Sequence, residues 1–196
     1  MTAGQRSSRA PMALLRRRIG PGLTLLRGGG FPRVEKTLRH RGETEVWIGI
    51  GGNVGEVRRR FERLRHFLKR SSDLRLLESS PILVNPPFGY LDQPDFLNAV
   101  LRIATTLPPR ALLRRLLRIE RRFGRRRSFP NAPRTLDLDI LFYGERRVRR
   151  KDLTIPHPHW RERESVTIPL ARMRRRPRLS ETLRSRGATE RRKKEQ

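Results

Sequence analysis

The sequence predicts an α+β fold in which helices cover one face of an antiparallel sheet, and three observations predict it. Two stretches carry apolar residues at helical spacing, Val57-Phe61-Leu64-Leu68 and Leu112-Leu116-Ile119-Phe123. Four others, near residues 46–50, 74–84, 96–106 and 136–142, are short apolar or alternating runs with strand character. The chain has 196 residues, enough for one unit with a real core and too few for two comfortable ones.

Taken in order, residues 1–43 hold Gly28-Gly29-Gly30 and scattered prolines with little sustained periodicity. They read as a basic extension, partly disordered or packed on the domain. Arg16, Arg17 and Arg18 beside short apolar runs leave an amphipathic targeting segment as a lesser reading. The folded domain is expected over 44–173, and 174–196 reads as a basic tail. Val46 to Ile50 forms a strand that runs into Gly51-Gly52-Asn53-Val54-Gly55. This turn lacks both the Lys-Ser/Thr of a P-loop and the spacing of a dinucleotide fingerprint, so a tight strand-to-helix turn is expected.

Residues 55–70 form an amphipathic helix, and Leu74 to Val84 a second strand. Asn85-Pro86-Pro87-Phe88-Gly89-Tyr90 is a loop by its prolines and glycine, and Phe96 to Thr106 resumes a strand. The second helix ends at Gly124, a plausible C′ position, and the strand of Asp137 and Asp139 follows. The order β-α-β-β-α-β is the split ferredoxin-like arrangement, which leaves the second sheet face free for a ligand.

The formal charge is +28, and residues 44–173 alone hold 27 Lys/Arg against 14 acids. Such a field draws in polyanions, whether nucleoside triphosphate, RNA or an anionic membrane, and does not choose among them. An Arg-rich composition with no dedicated partner accounts for the charge as well. No cysteine is present, which excludes disulfides and thiolate metal sites and fits a reducing cytoplasm. No apolar run approaches the ~20 residues that cross a bilayer, and no signal-peptide order is present, so a soluble protein is expected.

The chemistry is concentrated in Pro133-Arg134-Thr135-Leu136-Asp137-Leu138-Asp139-Ile140-Leu141. A period of two puts Leu136, Leu138, Ile140 and Phe142 on a core face and both aspartates on the other. Two carboxylates ~7 Å apart on one strand face repel, which makes most sense if a divalent cation, magnesium, neutralises them. An edge strand with an acidic solvent face is the bland alternative. The preceding loop, 124–134, carries four arginines and no acid, as Mg-nucleotide chemistry requires. Arg125 and Arg134 stand out by position, and His157 follows a short apolar run near Arg161 and Arg163.

These residues resemble the 6-hydroxymethyl-7,8-dihydropterin pyrophosphokinases of folate biosynthesis. The ordered motifs are Ile48-Gly49-Ile50-Gly51-Gly52-Asn53, Asn85-Pro86-Pro87-Phe88-Gly89 with Asp92-Gln93-Pro94-Asp95-Phe96-Leu97-Asn98, Pro133 to Asp139, and Thr154-Ile155-Pro156-His157. The resemblance runs from about Val46 to Leu170. It implies transfer of the diphosphate of ATP to the pterin hydroxymethyl group with release of AMP; a cytoplasmic monomer is expected.

It also implies that Asp137 and Asp139 bind two Mg2+ ions with ATP. Arg125 and Arg134 would join them as catalytic residues, and Glu120, Arg127, Ile140, Thr154, His157 and Arg163 would bind ATP. Asn85, Pro86, Pro87, Phe88, Phe96 and Asn98 would bind the pterin, with Phe96 stacked on its ring.

Two departures stand out. The usual Arg-Trp-Gly-Pro-Arg of the mobile loop is here Pro130-Asn131-Ala132-Pro133-Arg134, and the second aromatic of the pterin sandwich falls at Ser165. Trp160 or Phe88 is the expected substitute. The rival function is an RNA-binding ferredoxin-like module, but such modules stack bases on aromatics of central strands, and residues 98–106 contain none. Nucleic acid would then engage only the basic tails.

Overall fold

The computed structural model describes residues 14–37, 39–87, 89–126 and 132–177. In chain order the strands are β1 (Leu15–Gly20), β2 (Leu23–Arg27), β3 (Arg33–Val34), β4 (Thr44–Gly52), β5 (Arg75–Ser79), β6 (Ile82–Asn85), β7 (Phe96–Thr105), β8 (Asp137–Tyr143), β9 (Val148–Arg150) and β10 (Leu153–Ile155). Helix α1 (Val57–Lys69) follows β4, α2 (Pro109–Arg122) follows β7 and α3 (Glu164–Ala171) closes the series. The fold is an open antiparallel sheet with three helices, an α+β class. The main sheet runs β1-β2-β6-β7-β4-β8, with β5 also on β7 and β3 on β5. A separate hairpin pairs β9 with β10.

Both expected helices form where their apolar spacing puts them. Helix α1 buries Val57, Phe61, Leu64 and Leu68, and α2 buries Leu112, Leu116 and Ile119. They pack with Ile48, Ile50, Leu101, Ile103, Leu136, Leu138 and Ile140 in one core. Each such large side chain withdrawn from water stabilises the fold by about 1.5–3 kcal/mol, which is why arginines on the outer helix faces are tolerated. Pro109 opens α2, where its fixed φ suits a first turn and its missing N–H costs nothing.

The expected single strand from Leu74 to Val84 is two strands along β7. Proline has no N–H to give a ladder, so Pro81 breaks it. Ser80 keeps the break attached: its N–H donates to the Val100 carbonyl at 2.9 Å, and its hydroxyl accepts from the Val100 N–H at 2.9 Å.

Two further expectations are corrected. Phe142 does not share a face with Ile140. A bulge pairs Trp47 with Phe142 and Ile48 with Ile140, leaving Leu141 extra, so the alternation changes phase. Leu141 and Phe142 both lie with Trp47 and Val100 in a second cluster on the opposite face. That face is also not wholly free, because α3 packs Val166 and Leu170 into this cluster. Of the N-terminal extension, residues 14–37 pack on the domain: β1 and β2 form a hairpin that extends the sheet beyond β6, and β3 joins β5. Glu35 then ties the segment to α1 through Arg65 at 2.9 Å and Lys69 at 2.7 Å. Gly30, at φ +85°, makes this approach possible, since a Cβ there would sit 2.4 Å from Arg65 Nε.

Candidate active site

The sheet register brings the candidate residues into rows. Asp137 lies opposite Gly51, Gly51 opposite Asn98, and Asn98 opposite Leu83. Asp139 lies opposite Gly49. Residues in one row share a face, so both aspartates and Asn98 look out from the side away from α1 and α2. Between them β4 presents only glycine. A Cβ at Gly51 would come within 2.7 Å of Asn98 Oδ1, so this strand must be bare for the two sides of the site to coexist.

Over this floor lies a cleft of about 850 Å3. Asn85, Pro86, Pro87, Phe96 and Asn98 line one part of it, and Arg134, Asp137, Asp139, His157 and Arg163 another. Asn98 Nδ2 donates to Asn85 Oδ1 at 2.7 Å, which fixes both amides at the sheet edge of the cleft. The Arg134 guanidinium lies 5.4 Å from the centre of the Phe96 ring, joining the two parts.

The acidic centre is unequal. Asp137 accepts from Arg125 Nη1 on one oxygen and from Arg134 Nη1 on the other. Burial alone would raise its pKa, but the two guanidinium charges outweigh burial and hold it below the ordinary carboxylate value. Asp139 has no ion pair among the described residues; burial first, and the Asp137 charge second, push it up to about 6. Behind them, Glu120 Oε1 accepts from Arg125 at 2.6 Å and from the Leu138 N–H at 2.7 Å. Burial pushes Glu120 up to about 7 although both donors favour its charged form.

The family model for 7,8-dihydro-6-hydroxymethylpterin-pyrophosphokinase matches residues 47–175. The chain belongs to this pyrophosphokinase family. A Helicobacter pylori protein named 2-amino-4-hydroxy-6-hydroxymethyldihydropteridine pyrophosphokinase is 43% identical over 128 residues, 64% of this chain and 78% of its own length. A Campylobacter jejuni protein of the same name is 44% identical over 123 residues, 63% of this chain and 78% of its own length. The mitochondrial folate synthesis bifunctional protein of Pisum sativum is 40% identical over 128 residues, 65% of this chain and 25% of its own length.

For a pyrophosphokinase of this family, most of the residues singled out from the sequence gather at one place, and a few do not. Arg125 reaches Asp137 from the end of α2, and Glu120 stands behind it rather than in the cleft. Ile140 turns its side chain into the core shared with α1 and α2. Thr154 is exposed on β10 and is not part of the cleft wall. Arg127 and Phe88 lie outside the described residues.

Trp160, one of the two rings expected to replace the missing aromatic, packs edge-on against Phe142 at 4.9 Å and does not line the cleft. Ser165 does line it. Burial, with Arg163 and His159 close by, pushes His157 down to about 4, so its ring is neutral at pH 7. Its Nδ1 is buried without a partner among the described residues, as is Nε of Arg134.

Asn53 is the residue the sequence reading left without a role. Its side chain donates to Gln93 Oε1 at 2.8 Å and to the Pro94 carbonyl at 3.1 Å, and it accepts from the Arg134 N–H at 2.8 Å. It thereby joins the loop before Phe96 to the segment before Asp137. An asparagine just past a glycine strand end was the available signal, but its partners are 40 and 81 residues away in sequence.

The donor set fits a divalent cation bound with its substrate. Among the described residues no group of three or more His, Cys, Asp or Glu is gathered to cage a metal. Two carboxylates are what Mg2+ uses when phosphate oxygens and water complete its shell. The carboxyl of Asp139, pushed up first by burial and then by the Asp137 charge, is the group such an ion would relieve.

Proposed function

We propose that this chain works as its family name states, transferring the diphosphate of ATP to the hydroxymethyl group of 6-hydroxymethyl-7,8-dihydropterin in folate synthesis. The observation that carries the reading is the single cleft holding Asp137 and Asp139 beside Asn98 and Phe96 across a glycine floor. The pterin hydroxyl oxygen attacks the β-phosphorus, the bond from that phosphorus to the bridging oxygen of AMP breaks, and the hydroxyl proton is lost to water. Two Mg2+ ions held by Asp137 and Asp139 would supply charge neutralisation across the triphosphate.

The remaining work falls to the protein's own groups. Arg125 and Arg134 are oriented by Asp137, so their guanidiniums are positioned before substrate arrives. Arg134 and His157 both line the cleft, where the guanidinium and the ring would donate N–H groups to phosphate oxygens. His157 contributes as a neutral donor rather than as a charge. Asn98, braced by Asn85, addresses the pterin amide edge, and Phe96 offers its ring face. Arg163 lies within the field of Asp139 and would hold the outer phosphates.

Three finer readings belong to this proposal. The β-α-β-β-α-β core is taken as ferredoxin-like, supported by the order β8-β4-β7 with β5 and β6 together in the fourth place. The domain limits are taken as 44–173 with basic extensions on either side. Action as a monomer in the cytoplasm is taken as part of the same reading, and it is tested by the mass of the protein in solution. No helix among the described residues is long and apolar enough to cross a membrane. The RNA-binding alternative is left without support.

The test is to incubate the protein with ATP, Mg2+ and the pterin and to resolve AMP from ADP. Pterin-dependent AMP that disappears in Asp139→Ala is the expected result. No AMP from folded wild-type protein overturns the reading.

A further inference from the structure

The family match begins at residue 47, yet part of the chain before it stands at the cleft. Strand β2 pairs with β6 through Thr24, Leu25 and Leu26 opposite Val84, Leu83 and Ile82. Leu25 therefore stands in the row of Leu83, Asn98, Gly51 and Asp137. Leu23, two residues earlier on the same strand, points to that same face. Leu23 and Pro21 line the cleft alongside Asn85 and Pro86. The turn is also pressed against the loop: Gly22, at φ +64°, would put a Cβ 3.3 Å from Pro86 Cδ.

An acceptor with a flat ring needs apolar surface on more than one side to be held out of water. Phe96 is the one Phe, Tyr or Trp ring on the cleft wall among the described residues, and the Arg134 guanidinium already lies 5.4 Å from its centre. The next apolar surface beside Asn85 is the turn between β1 and β2.

We propose that the β1–β2 hairpin is a wall of the acceptor pocket, with Leu23 and Pro21 packing against the pterin and Leu23 a specificity-determining residue. This inference rests on the acceptor being the pterin proposed above. The hairpin acts locally: it sets affinity for the acceptor and leaves ATP binding and the chemical step to residues on β8 and around it.

The test uses the full chain, with kcat and both KM values read from AMP release. Leu23→Ala is expected to raise the pterin KM about tenfold, the usual effect of removing apolar contact from a substrate pocket. The ATP KM and kcat should stay within about twofold, Leu23→Met should restore the pterin KM, and Leu15→Ala on the exposed strand β1 should change nothing. If Leu23→Ala does not fold, Pro21→Ala in the exposed turn is read for the same split. An unchanged pterin KM overturns the proposal. A rise in both KM values together with a fall in kcat overturns it too, because that is the signature of a sheet that has lost support. Wild-type protein that releases no AMP overturns the functional reading and this inference together. Wild-type release with an unaffected Leu23→Ala overturns the wall alone.

Discussion

Two cavities of nearly equal size lie on opposite sides of the sheet, and they differ in the sign of what is left unpaired. The groove between α1 and α2, about 890 Å3, is bordered by Arg60, Arg63, Arg70, Arg115 and Arg122. Its one acid, Asp73, is held by Arg115 at 2.7 Å. Burial and the nearby Arg63 lower the pKa of Arg60, as crowded like charges must. In the cleft Arg134, with Arg125 behind it, is paired to Asp137, and a carboxylate, Asp139, has no ion pair among the described residues. In a chain of charge +28, arginine density marks no site. A buried carboxylate kept against its own repulsion does.

Four experiments break or sharpen that contrast, from the largest effect down. Asp139→Ala should lower pterin-dependent AMP release by about 10³-fold or more, because it removes half of the charge facing the triphosphate. Retention of a tenth of the activity would move the chemistry elsewhere. Arg134→Ala should cost about 10²-fold in kcat, the usual scale for one preorganised donor at developing charge. Arg63→Ala or Arg70→Ala in the helix-side groove should leave kcat and both KM values within about twofold. A larger loss there would make the groove part of the enzyme.

The last experiment reads stability without magnesium. The carboxyl of Asp139 is raised to about 6 in the folded state, from an ordinary value of 3.8. Its proton is therefore held more tightly when folded. Its contribution to stability is full below about pH 4 and is lost as pH rises through about 6. Asp139→Asn should remove that loss and stabilise the metal-free protein at pH 7 by up to about 3 kcal/mol, seen as a higher urea midpoint. A lower midpoint at pH 7 would mean that the charged carboxylate is held by a partner, and the contrast with the groove would fail.

What could be read from the sequence follows from how local each feature is. The faces of α1 and α2 depend on spacing within one turn or two, so Val57, Phe61 and Leu64, or Leu112 and Leu116, declare them directly. The shared face of Asp137 and Asp139 is equally local. The bulge at Leu141 is not, because it is set by the register of Trp47 and Ile48 on a strand some ninety residues earlier. Helix α3 is hidden because Pro169 interrupts its short apolar pattern. The hairpin of β1 and β2 escapes notice because strands gain most of their stability from partners, and the partner, β6, is more than fifty residues away. Asn53 is silent for the same reason: its three hydrogen bonds are all to distant chain.

Among the described residues, strand β1, with Arg16, Arg17 and Arg18 in succession, ends the main sheet on one side. An outermost strand exposes unpaired N–H and C=O groups that invite another copy of the chain to add on edge to edge. Antiparallel stacking of two such strands would bring guanidiniums from both copies within about 5 Å, a repulsion that opposes the addition. The three arginines thus act as a stop, so the hairpin that extends the sheet also keeps it from growing into an aggregate.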